Sequence, residues 1–179
     1  MREFSTEDLK RILLDIDEEA ELELGKSANP YDVVIVGGCA LLLSNLTDRA
    51  MTQDIDMVEF DSRLTEIISR HPEMNSAAFV YEGNLPDGWI DRLVELNLDT
   101  HVIRYLTPTP EDLAVMKLYS GREQDLEDLN SPDFVKTIDW EKLDSYVRDE
   151  EGASINLVSP RAYAEMVYTY ENYRKWNER

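Results

Sequence analysis

The run Val33-Val34-Ile35-Val36, closed at once by Gly37-Gly38, constrains this chain more than any other stretch. Four consecutive β-branched residues favour extended backbone, and a strand that is apolar on both faces must be covered on both. The two glycines let the backbone turn sharply out of that strand. Ala40 to Leu46 then reads as a short, apolar, buried helix. Next comes Asp54-Ile55-Asp56-Met57-Val58, whose alternation of polar and apolar residues predicts a second strand. Strand, tight glycine junction, helix and strand together predict an α/β fold with a small mixed sheet flanked by helices.

The flanking segments fit that frame. Ser5 can cap a first helix with Leu9, Ile12, Leu13, Ile16 and Ala20 on one face, while Asp15, Glu18, Glu19 and Glu23 form a solvated acidic surface. Pro30 ends that region, because the residue before a proline is pushed out of the helical basin. A helix is predicted over Leu64 to Arg70, and strands over Leu93 to Leu98 and His101 to Leu106. From Thr107 onward the chain reads as helical. Thr109-Pro110, Ser131-Pro132 and Ser159-Pro160 each pair a capping hydroxyl with a proline at the first helical position. Asp139 can cap a further helix through Tyr146. The last helix carries Tyr163, Met166, Val167, Tyr170 and Tyr173 at helical spacing, read as core rather than as a stacking platform. The expected organisation is a first domain over residues 1–130, N-terminal helix included. A helical extension over 131–179 would pack on the same core.

Charge narrows the function. Acidic residues outnumber basic ones 38 to 18, for a net charge of −20 over 179 residues. Such a field repels nucleic acid and anionic membranes, so a protein that coats either by bulk charge is excluded. No apolar run approaches the ~20 residues that span a bilayer. The start Met1-Arg2-Glu3-Phe4-Ser5 has no apolar signal core, which predicts a cytoplasmic chain. The single cysteine, Cys39, cannot form an internal disulfide, and with only His71 and His101 beside it a zinc site is not expected.

Chemistry concentrates where the glycines meet the second strand. Gly37 and Gly38 allow close backbone approach to a ligand and aim helix N-terminal N–H groups at an anion. Asp54 and Asp56, two residues apart on a strand, point to one face and make a Mg²⁺ site of hard oxygen donors. A glycine pair alone marks a turn, and an isolated pair of strand aspartates is ordinarily solvated. In this order they form a phosphate cradle followed by a metal pair, which phosphoryl or nucleotidyl transfer requires.

Gly37-Gly38-Cys39-Ala40-Leu41 followed by Arg49-x-x-Thr52-x-Asp54-Ile55-Asp56 resembles the AbiEii-type nucleotidyltransferases. These belong to the polymerase-β-like superfamily and include the MenT toxins. The resemblance continues through the segment from Leu85 to Leu93, through Pro110-Glu111-Asp112-Leu113-Ala114-Val115-Met116-Lys117-Leu118, and through Gly121-Arg122-Glu123-Gln124-Asp125-Leu126-Glu127-Asp128-Leu129. It covers about residues 31–130. It implies the nucleotidyltransferase fold, and it carries two further functional positions over to Lys117 and Asp125. Arg49 stands one residue farther from the aspartate pair than in the family and receives no role. Cys39, where relatives often carry a small polar residue, changes packing rather than chemistry.

The resemblance implies metal-dependent transfer of a nucleoside monophosphate from an NTP, ATP among them, to an acceptor hydroxyl. Asp54 and Asp56 would hold Mg²⁺, Gly37 and Gly38 would receive the terminal phosphates, and Lys117 with Arg122 would meet phosphate charge. Asp125 would complete the metal shell or position Lys117 or the acceptor. The acceptor would be a tRNA 3′ end or a protein, in a toxin–antitoxin or phage-defence setting with a cognate antitoxin as partner and no membrane. An RNA would dock end-on through Arg92, Arg104 and Arg122, or through Arg174, Lys175 and Arg179 beside Trp176. Glu95 and Asp99 are candidates for a further metal carboxylate on the central strand. A competing reading makes Arg122, Asp125 and Asp128 an ordinary helical i,i+3 ion-pair ladder. A competing function is a nucleotide- or partner-binding module of the same fold without catalysis.

Overall fold

The computed structural model describes residues 3–178, and the chain divides into two compact units. The first comprises residues up to Asn45, Arg49–Val80 and Val94–Thr107; the second comprises Leu46–Asp48, Tyr81–Leu93 and the chain from Pro108 onward.

The first unit opens with α1 (Thr6–Leu24), started by a reciprocal Ser5–Asp8 capping box. Its Leu9, Leu13, Ile16 and Ala20 are fully buried, as the spacing predicts. Each large apolar side chain buried in this way contributes ~1.5–3 kcal/mol. Asp17 lies within the same stripe and is buried too, because its carboxylate accepts the backbone N–H groups of His101, Val102 and Ile103 at 2.6, 2.9 and 2.7 Å. An acid inside an apolar face thus ties α1 to the start of a strand.

That strand belongs to a five-stranded mixed sheet. Its members are β1 (Tyr31–Val36), β2 (Ile55–Phe60), β3 (Met74–Asn75), β4 (Val94–Glu95) and β5 (Ile103–Thr107), in the order β3-β2-β1-β5-β4. β1 is central, antiparallel to β2 and parallel to β5, while β3 is parallel to β2 and β4 antiparallel to β5. The helices α2 (Gly37–Leu43) and α3 (Thr65–Ser69) complete the unit, with α1 packed against both.

Several boundaries differ from the sequence expectation, each for a local reason. α2 begins at Gly37 rather than Ala40, because a φ of +69° at Gly37 lets the strand enter the helix with no loop. It stops at Leu43 rather than Leu46, since Asn45 takes a left-handed conformation that asparagine tolerates. The strand expected over Leu93–Leu98 shrinks to Val94–Glu95. The N–H groups of Leu98 and Thr100 turn back to the carbonyls of Leu96 and Leu98, leaving the ladder. The helix expected at Leu64 starts as a 3₁₀ turn, Ser62–Leu64.

The second unit is helical: α4 (Pro110–Ser120), α5 (Glu123–Leu129), α6 (Pro132–Thr137), α7 (Trp140–Val147), α8 (Glu150–Ile155) and α9 (Pro160–Asn177). Thr109, Asp139 and Ser159 cap α4, α7 and α9 as expected. Ser131 does not cap α6; its hydroxyl is buried and finds no hydrogen-bond partner among the described residues. α4 packs on α5, α7 and α9, burying Leu113, Ala114, Val115 and Leu118 with Leu143, Val147, Met166 and Tyr170. Met166, Tyr170 and Tyr173 of the last helix are core, whereas Tyr168 and Trp176 face solvent.

Candidate active site

The register of the first unit brings the glycine junction onto the aspartate pair. Val36 pairs with Asp56 across the β1–β2 ladder, so the residue that follows, Gly37, falls beside the Asp56 side chain. A Cβ at Gly37 would stand 2.7 Å from Asp56 Oδ2, and the positive φ there is a second reason for glycine. Gly38 has its own neighbour: a Cβ would meet Arg49 Nη1 at 2.5 Å and Thr52 Oγ1 at 3.0 Å. Arg49, given no role from sequence, therefore packs its guanidinium on the backbone of this junction. The loop that delivers it is pinned by a two-way backbone bridge between Phe4 and Thr52, at 2.7 and 3.0 Å.

The strand expected from Asp54 begins one residue later, at Ile55, so Asp54 stands just before β2 and Asp56 on it; both are half-buried, whereas Ile55 and Met57 are fully buried. Asn75, opposite Asp56 on β3, donates from Nδ2 to Asp56 Oδ1 at 2.7 Å. The Cys39 thiol, buried in the first turn of α2, is pushed well above its ordinary value. Burial is the main cause, and the charges of Asp56 and then Asp54 add to it. Both carboxylates are thus felt at one point beside the start of α2. Cys39 is a packing residue, not a nucleophile.

The donor chemistry fits Mg²⁺ in part. Among the described residues no group of three or more His, Cys, Asp or Glu side chains converges on one point. Asp54 and Asp56 supply two hard oxygen donors, and Mg²⁺ is commonly held by one or two carboxylates together with substrate phosphate oxygens.

Lys117, Asp125 and Arg122 lie in the second unit. Lys117, on α4, is only 4% exposed, and its Nζ donates to Asp125 Oδ1 at 2.7 Å and to Asp128 Oδ2 at 2.8 Å. Asp125 Oδ2 also accepts from Ser120 Oγ at 2.6 Å and from Arg122 Nε at 2.7 Å. Burial pushes the Asp125 carboxyl upward, but Lys117, Ser120 and Arg122 outweigh it and hold the group below its ordinary value. Gly121 closes α4 in a left-handed conformation, which aligns α5 so that Asp125 and Asp128, one helical turn apart, both face Lys117. The i,i+3 pair of Arg122 with Asp125 forms at 2.7 Å, and Asp125 and Asp128 are in addition buried on Lys117, with Arg122 at the surface.

A family model described as a nucleotidyltransferase of unknown function (DUF6036) matches residues 11–177. The chain belongs to that family. No curated protein and no solved structure matches it. The match spans both the glycine–aspartate junction and the Lys117 group.

Within this nucleotidyltransferase-family chain, the arginines expected to greet an RNA are committed to acids. Arg92 grips fully buried Asp112 at 2.7 Å and lies over the Tyr146 ring. Arg104 pairs with Asp32 across β1 and β5, both contacts at 2.8 Å. Arg174 pairs with Asp144 and Glu178, and Arg179 lies outside the described residues, as do Met1 and Arg2. Glu95 does not stand on a central strand: β4 is an edge, separated from β2 by β5 and β1, and Asp99 follows it in an exposed loop. Among the described residues no helix is long and apolar enough to cross a membrane. Sequence reasoning missed Asn75, because a two-residue strand is too short to show periodicity. It also missed Asp17, although an acid at the fourth position after Leu13 on an apolar stripe is a readable signal.

Proposed function

We propose that the chain transfers a nucleoside monophosphate from an NTP to an acceptor hydroxyl and releases pyrophosphate, with Asp54 and Asp56 holding Mg²⁺. The supporting observation is the junction itself, where Asp56 lies against Gly37 at the exit of the central strand, with the charges of both Asp56 and Asp54 felt at the Cys39 thiol beside it. When bound, Mg²⁺ neutralises phosphate charge and acidifies the attacking hydroxyl. Asp54 and Asp56 bind and orient. Gly37 and Gly38 would offer backbone N–H groups to the terminal phosphates beside the Arg49 guanidinium, and no side chain caps the first turn of α2. Within the second unit, Asp125 and Asp128 hold the Lys117 ammonium, and Arg122 adds positive charge at the rim of that group.

The resemblance of the motif series to AbiEii-type enzymes and MenT toxins supports a toxin–antitoxin or phage-defence setting. A tRNA 3′ end or a protein would be the acceptor, and a cognate antitoxin the partner. Because Arg92, Arg104 and Arg174 are already paired, an RNA acceptor would dock through few phosphates, and its affinity would fall only shallowly with salt.

One observation favours a second reading, a nucleotide- or partner-binding module without turnover. Lys117 is shared by two buried carboxylates, which is sufficient reason to keep all three residues for stability alone. Nucleotide binding with and without Mg²⁺, followed by pyrophosphate release in the presence of cell extract, separates the two. The transfer reading expects Mg²⁺-dependent binding and release. Binding with no release from any NTP would establish the module instead.

A further inference from the structure

We infer that Asn75 is the positioning residue for Asp56 and governs how well that carboxylate holds a divalent cation; this rests on the metal reading of Asp54 and Asp56. β3 runs parallel to β2 and sets Asn75 directly across from Asp56. An asparagine amide can be turned either way, so its orientation must come from its partners. Here both ends are specified. The Ala77 N–H donates to Asn75 Oδ1 at 3.0 Å, which needs the oxygen on that side, and leaves Nδ2 to donate to Asp56 Oδ1 at 2.7 Å.

The chemistry of the donor matters. A neutral amide fixes the rotation of a carboxylate while leaving its charge in place, whereas an ammonium at the same point would compete with a cation. On its other side, Asp56 Oδ2 faces Gly37, where even a methyl group would intrude at 2.7 Å. The Asn75 amide and the Gly37 backbone are thus two of the groups that bound this carboxylate. Carboxylates that bind metals depend on such outer hydrogen bonds, whose loss typically weakens metal affinity by ~10–100-fold.

The test uses Mn²⁺ as the probe on the full chain, its binding followed by the electron paramagnetic resonance of the free ion, with a non-hydrolysable NTP present. Asn75→Ala is expected to weaken Mn²⁺ binding by ~10–100-fold while the thermal midpoint and the metal-free nucleotide affinity stay at wild-type values. Asn75→Gln, which keeps the amide on a longer arm, is expected to recover part of the loss. Unchanged Mn²⁺ affinity in Asn75→Ala, beside an Asp56→Asn variant that has lost it, would overturn the role of Asn75 and leave the metal reading standing. A fall in stability and in metal-free nucleotide affinity together would also overturn it, by showing a purely structural residue. Undiminished Mn²⁺ binding in Asp56→Asn would overturn the metal reading itself.

Discussion

Two pairs of aspartates separated by similar short spacings sit in opposite electrostatic settings. Asp125 and Asp128 are buried and share the ammonium of Lys117, with Arg122 adding a second cation at the rim, so two positive and two negative charges balance. Asp54 and Asp56 are half-exposed, and a neutral amide, that of Asn75, is among the groups that hold Asp56. The first arrangement spends its charge on holding helices together. The second leaves two carboxylates half-exposed, the arrangement that the proposed cation site calls for. The difference teaches that acid spacing in sequence does not separate buried, ion-paired carboxylates from half-exposed ones. The neighbouring donors do.

The largest effect that can break this comparison is at Lys117. Lys117→Ala leaves two buried carboxylates without their shared counter-charge, and the expected loss is ~3–5 kcal/mol of unfolding free energy in a urea titration. Adding Asp125→Asn and Asp128→Asn to it should restore most of that. A single variant as stable as wild type would show the group to be unimportant to the fold. Gly37→Ala comes next. It forces an L side chain into positive φ and against Asp56, and the expected cost is ~1–3 kcal/mol with weakened nucleotide-dependent metal binding.

Acid titration sharpens the same contrast. The folded-state pKa of Asp125 lies below its unfolded value of 3.8, so this group's stabilisation is present above pH 3.8 and is lost as pH falls through the lower folded value. Asp125→Asn should therefore flatten the acid limb of the stability curve in that window and leave neutral pH free of any pH-dependent change. The smallest effect is expected at the other pair. Asp54→Asn should shift unfolding by no more than about 0.5 kcal/mol, because a half-exposed carboxylate beside another carboxylate loses repulsion when neutralised. A large loss there would mark Asp54 as structural.

How much of this was legible in the sequence follows from the range of each interaction. β1, α1, α4 and α9 were readable because caps and apolar periodicity are local. The glycine junction was readable because two glycines directly after a β-branched run mark a sharp exit from a strand. The destination of Lys117 was not, since burial of a lysine depends on where α5 lies after the turn at Gly121. Asn75 was invisible for the same reason: its partner is 19 residues away and is reached only through strand pairing. Arg104 meets Asp32 by register across 72 residues, so a strand arginine that looked available was already paired.

The most direct measurement is transfer of α-phosphate label from each of the four NTPs into cell-extract RNA and protein, by wild type and by Asp54→Asn and Asp56→Asn, with and without Mg²⁺. The account predicts labelled product and released pyrophosphate with wild type and Mg²⁺ only, and loss of both in either folded variant. Equal labelling by the aspartate variants, or release that is indifferent to Mg²⁺, would contradict it.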